Sequence, residues 1–174
     1  LHVFDGRSLT ARRNAAIVHL LLSLALRAGD VAGLKLEDVD WRAGEITVCG
    51  KGKHLSRLPL PHDVGRALAG YLRCRPRART RCVFLRSRAP CEALTSGGVV
   101  SIATTALRAA GVAAGGAHLL RHTAATQMLR KGASLSEIAH VLRHRHVDTT
   151  AIYAKVDLAS LQSVARPWLD EAVQ

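Results

Sequence analysis

Apolar residues fall at helical spacing near the start of the chain, with Ile17, Val18, Leu20, Leu21 and Leu24 forming one stripe. This predicts a buried helix over residues 9–27, with Ser8 or Thr10 as its N-cap and Arg27 at its C-terminal end. A short helical turn from Asp30 follows. The pattern then changes to strand-like segments, Glu-Ile-Thr-Val-Cys at 45–49 and residues 55–60, on either side of Gly50-Lys51-Gly52. That arrangement reads as an antiparallel hairpin. Cys-Val-Phe-Leu at 82–85 is the expected third strand. Helical character returns over residues 61–73, 96–110, 117–131, 135–143, 149–155 and 157–164. The expected fold is mainly α with a small three-stranded antiparallel β-sheet.

Two segments interrupt these elements without dividing the chain. Arg75-Pro-Arg-Ala-Arg-Thr-Arg81 is a basic stretch that reads as a loop, and residues 111–116 form a small-residue linker into the next helix. Neither is long enough to separate domains, and 174 residues suit a single domain over 1–174. A start at Leu1 rather than methionine suggests an excised fragment.

Charge narrows the choice of partner. Lysine plus arginine number 25 against 13 acidic residues, a formal net charge of +12, which favours a polyanion and salt-sensitive association. Aromatic residues make up 3% of the chain, too few for platforms that stack single-stranded bases. Duplex DNA held by its phosphates is the better match. The four cysteines, Cys49, Cys74, Cys82 and Cys91, form neither a Cys-x-x-Cys pair nor a regular framework, so reduced thiols are expected. With no signal peptide and no long apolar span visible, a cytoplasmic location is expected.

The chemistry concentrates in the second half of the chain. His118-Leu-Leu-Arg121-His122 and Leu-Arg-His144 precede Thr149-Thr-Ala-Ile-Tyr153, setting imidazoles and a guanidinium upstream of one tyrosine. A phenol ionises near pH ~10, so a tyrosine nucleophile needs a base or cations that favour the phenolate. Phosphoryl transfer also gathers charge on the non-bridging oxygens. Arginine suits these, because its planar fork spans two oxygens and stays charged. Arg121 lies three residues after His118 and shares its helix face; a second arginine stands in Leu24-Ala-Leu-Arg27-Ala-Gly-Asp30-Val-Ala-Gly-Leu34.

Together these segments resemble the catalytic domain of the tyrosine recombinases, the phage-integrase and Xer-type site-specific recombinases. The family's first box, approximately Gly-Leu-Arg-x-x-Glu-x-x-x-Leu, is matched by Ala25-Leu-Arg27-Ala-Gly-Asp30 through Leu34. His-x-x-Arg-His is matched by His118, Arg121 and His122. Leu-Gly-His followed by Thr-Thr-x-x-Tyr is matched by Leu142-Arg143-His144 and Thr149 to Tyr153, and the family's turn lysine by Lys51. The resemblance covers residues 11–161 in order. It implies that Arg27 and Arg121 grip the scissile phosphate, that His118 and His144 supply hydrogen bonds and handle protons, that Lys51 protonates the departing 5' oxygen, and that Tyr153 attacks. Asp30 stands where the family has glutamate, one methylene shorter, with the implied task of holding the first arginine and the histidine. Arg143 replaces a family glycine, adding a charge that either binds DNA or crowds the backbone.

The resemblance further implies DNA cleavage and rejoining through a 3'-phosphotyrosine, with no metal or other cofactor. It implies double-stranded DNA and other recombinase subunits in a tetrameric synapse as partners, and an N-terminal DNA-binding domain absent from this chain. The fragment alone is expected to be monomeric. Other readings stay open: a type IB topoisomerase, a catalytically silent DNA-binding module, or zinc held by His118 and His122 or by His140 and His144. Singly, Tyr153 is an ordinary half-buried tyrosine, Arg27 a solvated helix end, and Lys51 a hairpin-turn lysine. The conjunction of boxes outweighs those readings. For His122, Lys53 and His54 packing or peripheral phosphate contact is the preferred role.

Overall fold

The computed structural model describes residues 8–49, 55–113 and 115–143. It groups the chain into two compact units, Leu1–Ala124 and Ala125–Gln174. In the first unit, α1 (Leu9–Ser23) is capped by the Ser8 hydroxyl, which accepts from the Ala11 amide at 3.1 Å. Ile17, Leu20 and Leu21 on α1 are fully buried. This face packs on α3 (His62–Leu72) through Val64, Leu68 and Tyr71, and on α4 (Ser96–Ala109) through Val99 and Ala103. His19 on α1 also meets the Asp63 carboxylate at 3.4 Å.

The apolar stripe misplaces the end of the first helix. α1 stops at Ser23, and Leu24 to Leu26 remain buried although they are no longer helical. Ala25 takes φ +49°, a left-handed conformation that breaks the helix while leaving its neighbours in the core. Hydrophobic spacing reports burial, so it runs across such a break unchanged. Arg27 consequently stands at the N-cap of a separate short helix, α2 (Ala28–Gly33), which packs against α4.

The sheet has three antiparallel strands, as expected, but one comes from a different segment. β2 (Glu45–Cys49) lies between β1 (Val39–Asp40) and β3 (Leu55–Pro59), in the register Ile46 opposite Leu58 and Val39 opposite Ile46. Ile46, Val48 and Leu58 turn one face into the core. The hairpin turn with Lys51 lies outside the described residues.

Residues 82–85 make single bridges, Lys35 with Cys82 and Leu85 with Ala93, rather than joining the sheet. Side chains already occupy much of this backbone. Arg75 donates to the carbonyls of Cys82 and Val83 at 2.7 and 2.9 Å, Arg13 donates to the Leu85 carbonyl at 2.8 Å, and the Leu85 amide donates to the Tyr71 hydroxyl at 3.2 Å. Val83, Phe84 and Leu85 are all buried, without the alternation of a half-exposed strand.

α5 (Ala117–Arg130) begins in the first unit. Gly115 before it has φ +152°, and a Cβ there would come within 2.6 Å of Leu119 Cδ2. In the second unit α5 ends at a left-handed Gly132 (φ +89°), where the Ala133 amide reaches the Met128 carbonyl. α6 (Leu135–Leu142) starts with a capping box: Ser134 accepts from the Glu137 amide at 3.2 Å, and Glu137 accepts from the Ser134 amide at 2.8 Å. Ile138, Ala139 and Leu142 are buried. The expected helices at 149–155 and 157–164 lie outside the described residues.

Candidate active site

The first arginine is set by its own short helix. Asp30, in the first turn of α2, accepts from the Arg27 main-chain N–H at 2.9 Å. This fixes the backbone from which the Arg27 side chain departs, and a shorter carboxylate reaches its own helix start without strain. Asp30 thus holds the arginine through its main chain.

The second arginine is anchored to the first box. Arg121 on α5 is 4% exposed and donates through Nη1 to the Ala25 carbonyl. Ala25 lies two residues before Arg27, so a bond between residues 96 positions apart holds α5 against the break between α1 and α2. One of the guanidinium's five donors thereby fixes where the second box sits relative to the first.

His118 and His122 form a pair on α5. Their Nε2 atoms lie 2.6 Å apart, and the rings meet edge to face with centroids at 4.2 Å. At that distance one ring donates and the other accepts. Protonating both would set two donors against each other. The His122 imidazolium is accordingly disfavoured, first by burial, then by His118, then by Arg121, which lowers its pKa. Among the described residues no group of three or more histidines, cysteines or carboxylates is placed to hold a metal. The role expected of His122 is packing or peripheral phosphate contact; its four-residue spacing from His118 is the sequence signal for the pair. His118 and Arg121 stand three residues apart on α5, the arginine buried and the histidine exposed.

Of the two tyrosines in the chain, Tyr71 is committed to the core. It is 1% exposed, stacks on Phe84 with centroids 5.5 Å apart, and accepts from the Leu85 amide. Burial pushes its pKa up, which disfavours a phenolate. Lys51, His144 and Tyr153 lie outside the described residues.

A buried arginine is thus fastened to the main chain two residues before a second arginine, on a mainly helical fold with one small sheet. Residues 2–159 match the phage integrase family, and the chain belongs to that family. A Sinorhizobium fredii protein named as an integrase/recombinase is 50% identical over 165 residues, covering 92% of this chain. The tyrosine recombinase XerC of Thermodesulfovibrio yellowstonii is 35% identical over 164 residues, covering 89%. The chain spans 40% and 54% of those relatives' lengths.

Among solved structures, XerA recombinase aligns at TM-score 0.79 with 26% identity, over 95% of this chain and 61% of that one. XerH recombinase, bound to its palindromic difH substrate after cleavage, aligns at 0.80 with 23% identity, over 96% of this chain and 50% of that one. The fold is that of the tyrosine recombinase catalytic domain. Ala25 and Arg143 stand where the family boxes carry glycine, and they are the non-glycine residues with positive φ among those described, +49° and +51°. The backbone keeps the conformation that glycine adopts freely. Arg143 takes it at the C-cap of α6.

Proposed function

We propose that this chain is the catalytic domain of a site-specific DNA recombinase, cutting and rejoining duplex DNA by transesterification. The observation that carries the reading is the Arg121 bond to Ala25, which holds both arginine boxes beside one another, as two cations on one phosphate require. In this reading Arg27 and Arg121 bind the non-bridging oxygens and stabilise the charge that builds on them. The Tyr153 oxygen attacks phosphorus, its proton passing to a histidine of the site, His118 or His144. The bond to the 5' oxygen breaks as Lys51 supplies its proton. A 5' hydroxyl of the partner strand later reverses these steps and releases Tyr153. One phosphodiester is exchanged for another, so the chemistry calls for no nucleotide cofactor. The commitment of Tyr71 to the core supports Tyr153 as nucleophile.

Arg27→Ala and Arg121→Ala should each lower the rate of strand cleavage by about 100-fold or more, on the scale of ~3 kcal/mol for a lost transition-state donor. Arg121 is buried, so a melting curve should accompany the rate to separate lost chemistry from lost fold. Near-normal cleavage by a folded Arg121→Ala protein would contradict the assignment.

A further inference from the structure

Arginine occupies every second position from Arg73 to Arg81, and no acidic residue lies among them. On an extended strand all five would share a face; the structure separates them instead. Arg75 turns inward, and its guanidinium donates to four main-chain carbonyls, those of Pro76, Thr80, Cys82 and Val83, at 3.2, 3.1, 2.7 and 2.9 Å. The Cys82 amide closes the turn on the Thr80 hydroxyl at 3.1 Å. Arg81 pairs with Glu37 at 3.3 Å. Arg73, Arg77 and Arg79 are left exposed on a loop whose shape is already fixed.

The loop is also tied to the element that carries Arg27. The Leu36 amide donates to the Arg81 carbonyl at 3.0 Å and the Val83 amide to the Leu34 carbonyl at 2.8 Å, which fastens its end just past the C-terminus of α2. A helix rises ~1.5 Å per residue, so six residues of α2 separate the anchored end of the loop from Arg27 by about 9 Å. Successive nucleotides of a duplex strand rise ~3.4 Å. About three nucleotides therefore span the distance from Arg27 to that anchored end.

We infer that the Arg73–Arg81 loop is a preorganised contact for the phosphate backbone of duplex DNA a few nucleotides from the cleaved bond. The inference rests on the DNA reading above. Arginine forks suit phosphate oxygens, and a loop held by Arg75 loses little conformational freedom when it binds. Phosphate contacts of this kind fix position and do not read bases.

The test is the salt dependence of duplex binding by the full chain carrying Arg77→Gln and Arg79→Gln. Arg42→Gln with Arg66→Gln is the charge-matched control, taken from exposed positions on a β-turn and on α3. Each lost phosphate contact lowers the slope of log K against log salt by ~0.9. The loop variant should lose close to 2 units of slope, each single substitution about 1, and the control none, with melting curves unchanged. Equal slopes for the loop variant and unaltered protein overturn the inference, and so does an equal loss in the control. Duplex binding without salt dependence in the unaltered protein would instead sink the DNA reading itself.

Discussion

His122 is legible in the sequence as part of the His-x-x-Arg-His box and by its four-residue spacing from His118, whereas its 2.6 Å contact with that ring is seen only in the structure. Its lowered pKa, caused first by burial and then by His118 and Arg121, gives stability a pH dependence of known sign. Below the ordinary imidazole value of ~6.5, unfolded chains take up a proton that folded His122 resists. Stability is thus fully present above that value and falls as pH drops toward the lowered folded value. Denaturant midpoints measured from pH 8 downward should show this fall, with a shallower slope in His122→Gln. An unchanged or steeper slope in the variant would show that the histidine pair is not its source. Asp30 differs: its box position implies a task beside Arg27 and the histidine, and its carboxylate accepts a hydrogen bond from the Arg27 amide.

The elements were legible where periodicity and burial coincide and illegible where they part. α3, α4, α5, α6 and the hairpin strands follow their sequence patterns because each offers one apolar face to a neighbour or carries a plain capping residue. The end of α1 does not, since Leu24 and Leu26 stay buried on either side of a break marked by alanine rather than glycine. Nor does the segment at 82–85, because much of its backbone hydrogen bonding is met by the side chains of Arg75, Arg13 and Tyr71. The break at Ala25 gives a prediction of its own. Valine there would combine a β-branched side chain with positive φ and extra volume at a site of zero exposure. Ala25→Val should destabilise the fold by about 2 kcal/mol or more and should impair cleavage further, because the carbonyl that anchors Arg121 belongs to this residue. Full stability in that variant would show that the break tolerates side-chain volume.

Across the whole molecule, a formal net charge of +12 and the recombinase fold suit a duplex partner, and among the described residues no helix is long and apolar enough to cross a membrane. Four boxes in order made the family legible, whereas the geometry joining two of them was not, since a bond between residues 96 positions apart leaves no local trace. The central claim is that Tyr153 becomes covalently linked to DNA. It is tested most directly with a suicide duplex, nicked beside the cleavage site so that the released fragment diffuses away and resealing fails. The unaltered protein should accumulate an adduct that survives denaturation and disappears on protease digestion, with EDTA having no effect. Tyr153→Phe should bind the same duplex and form none. An adduct persisting in Tyr153→Phe would contradict the account, because another side chain would then be the nucleophile.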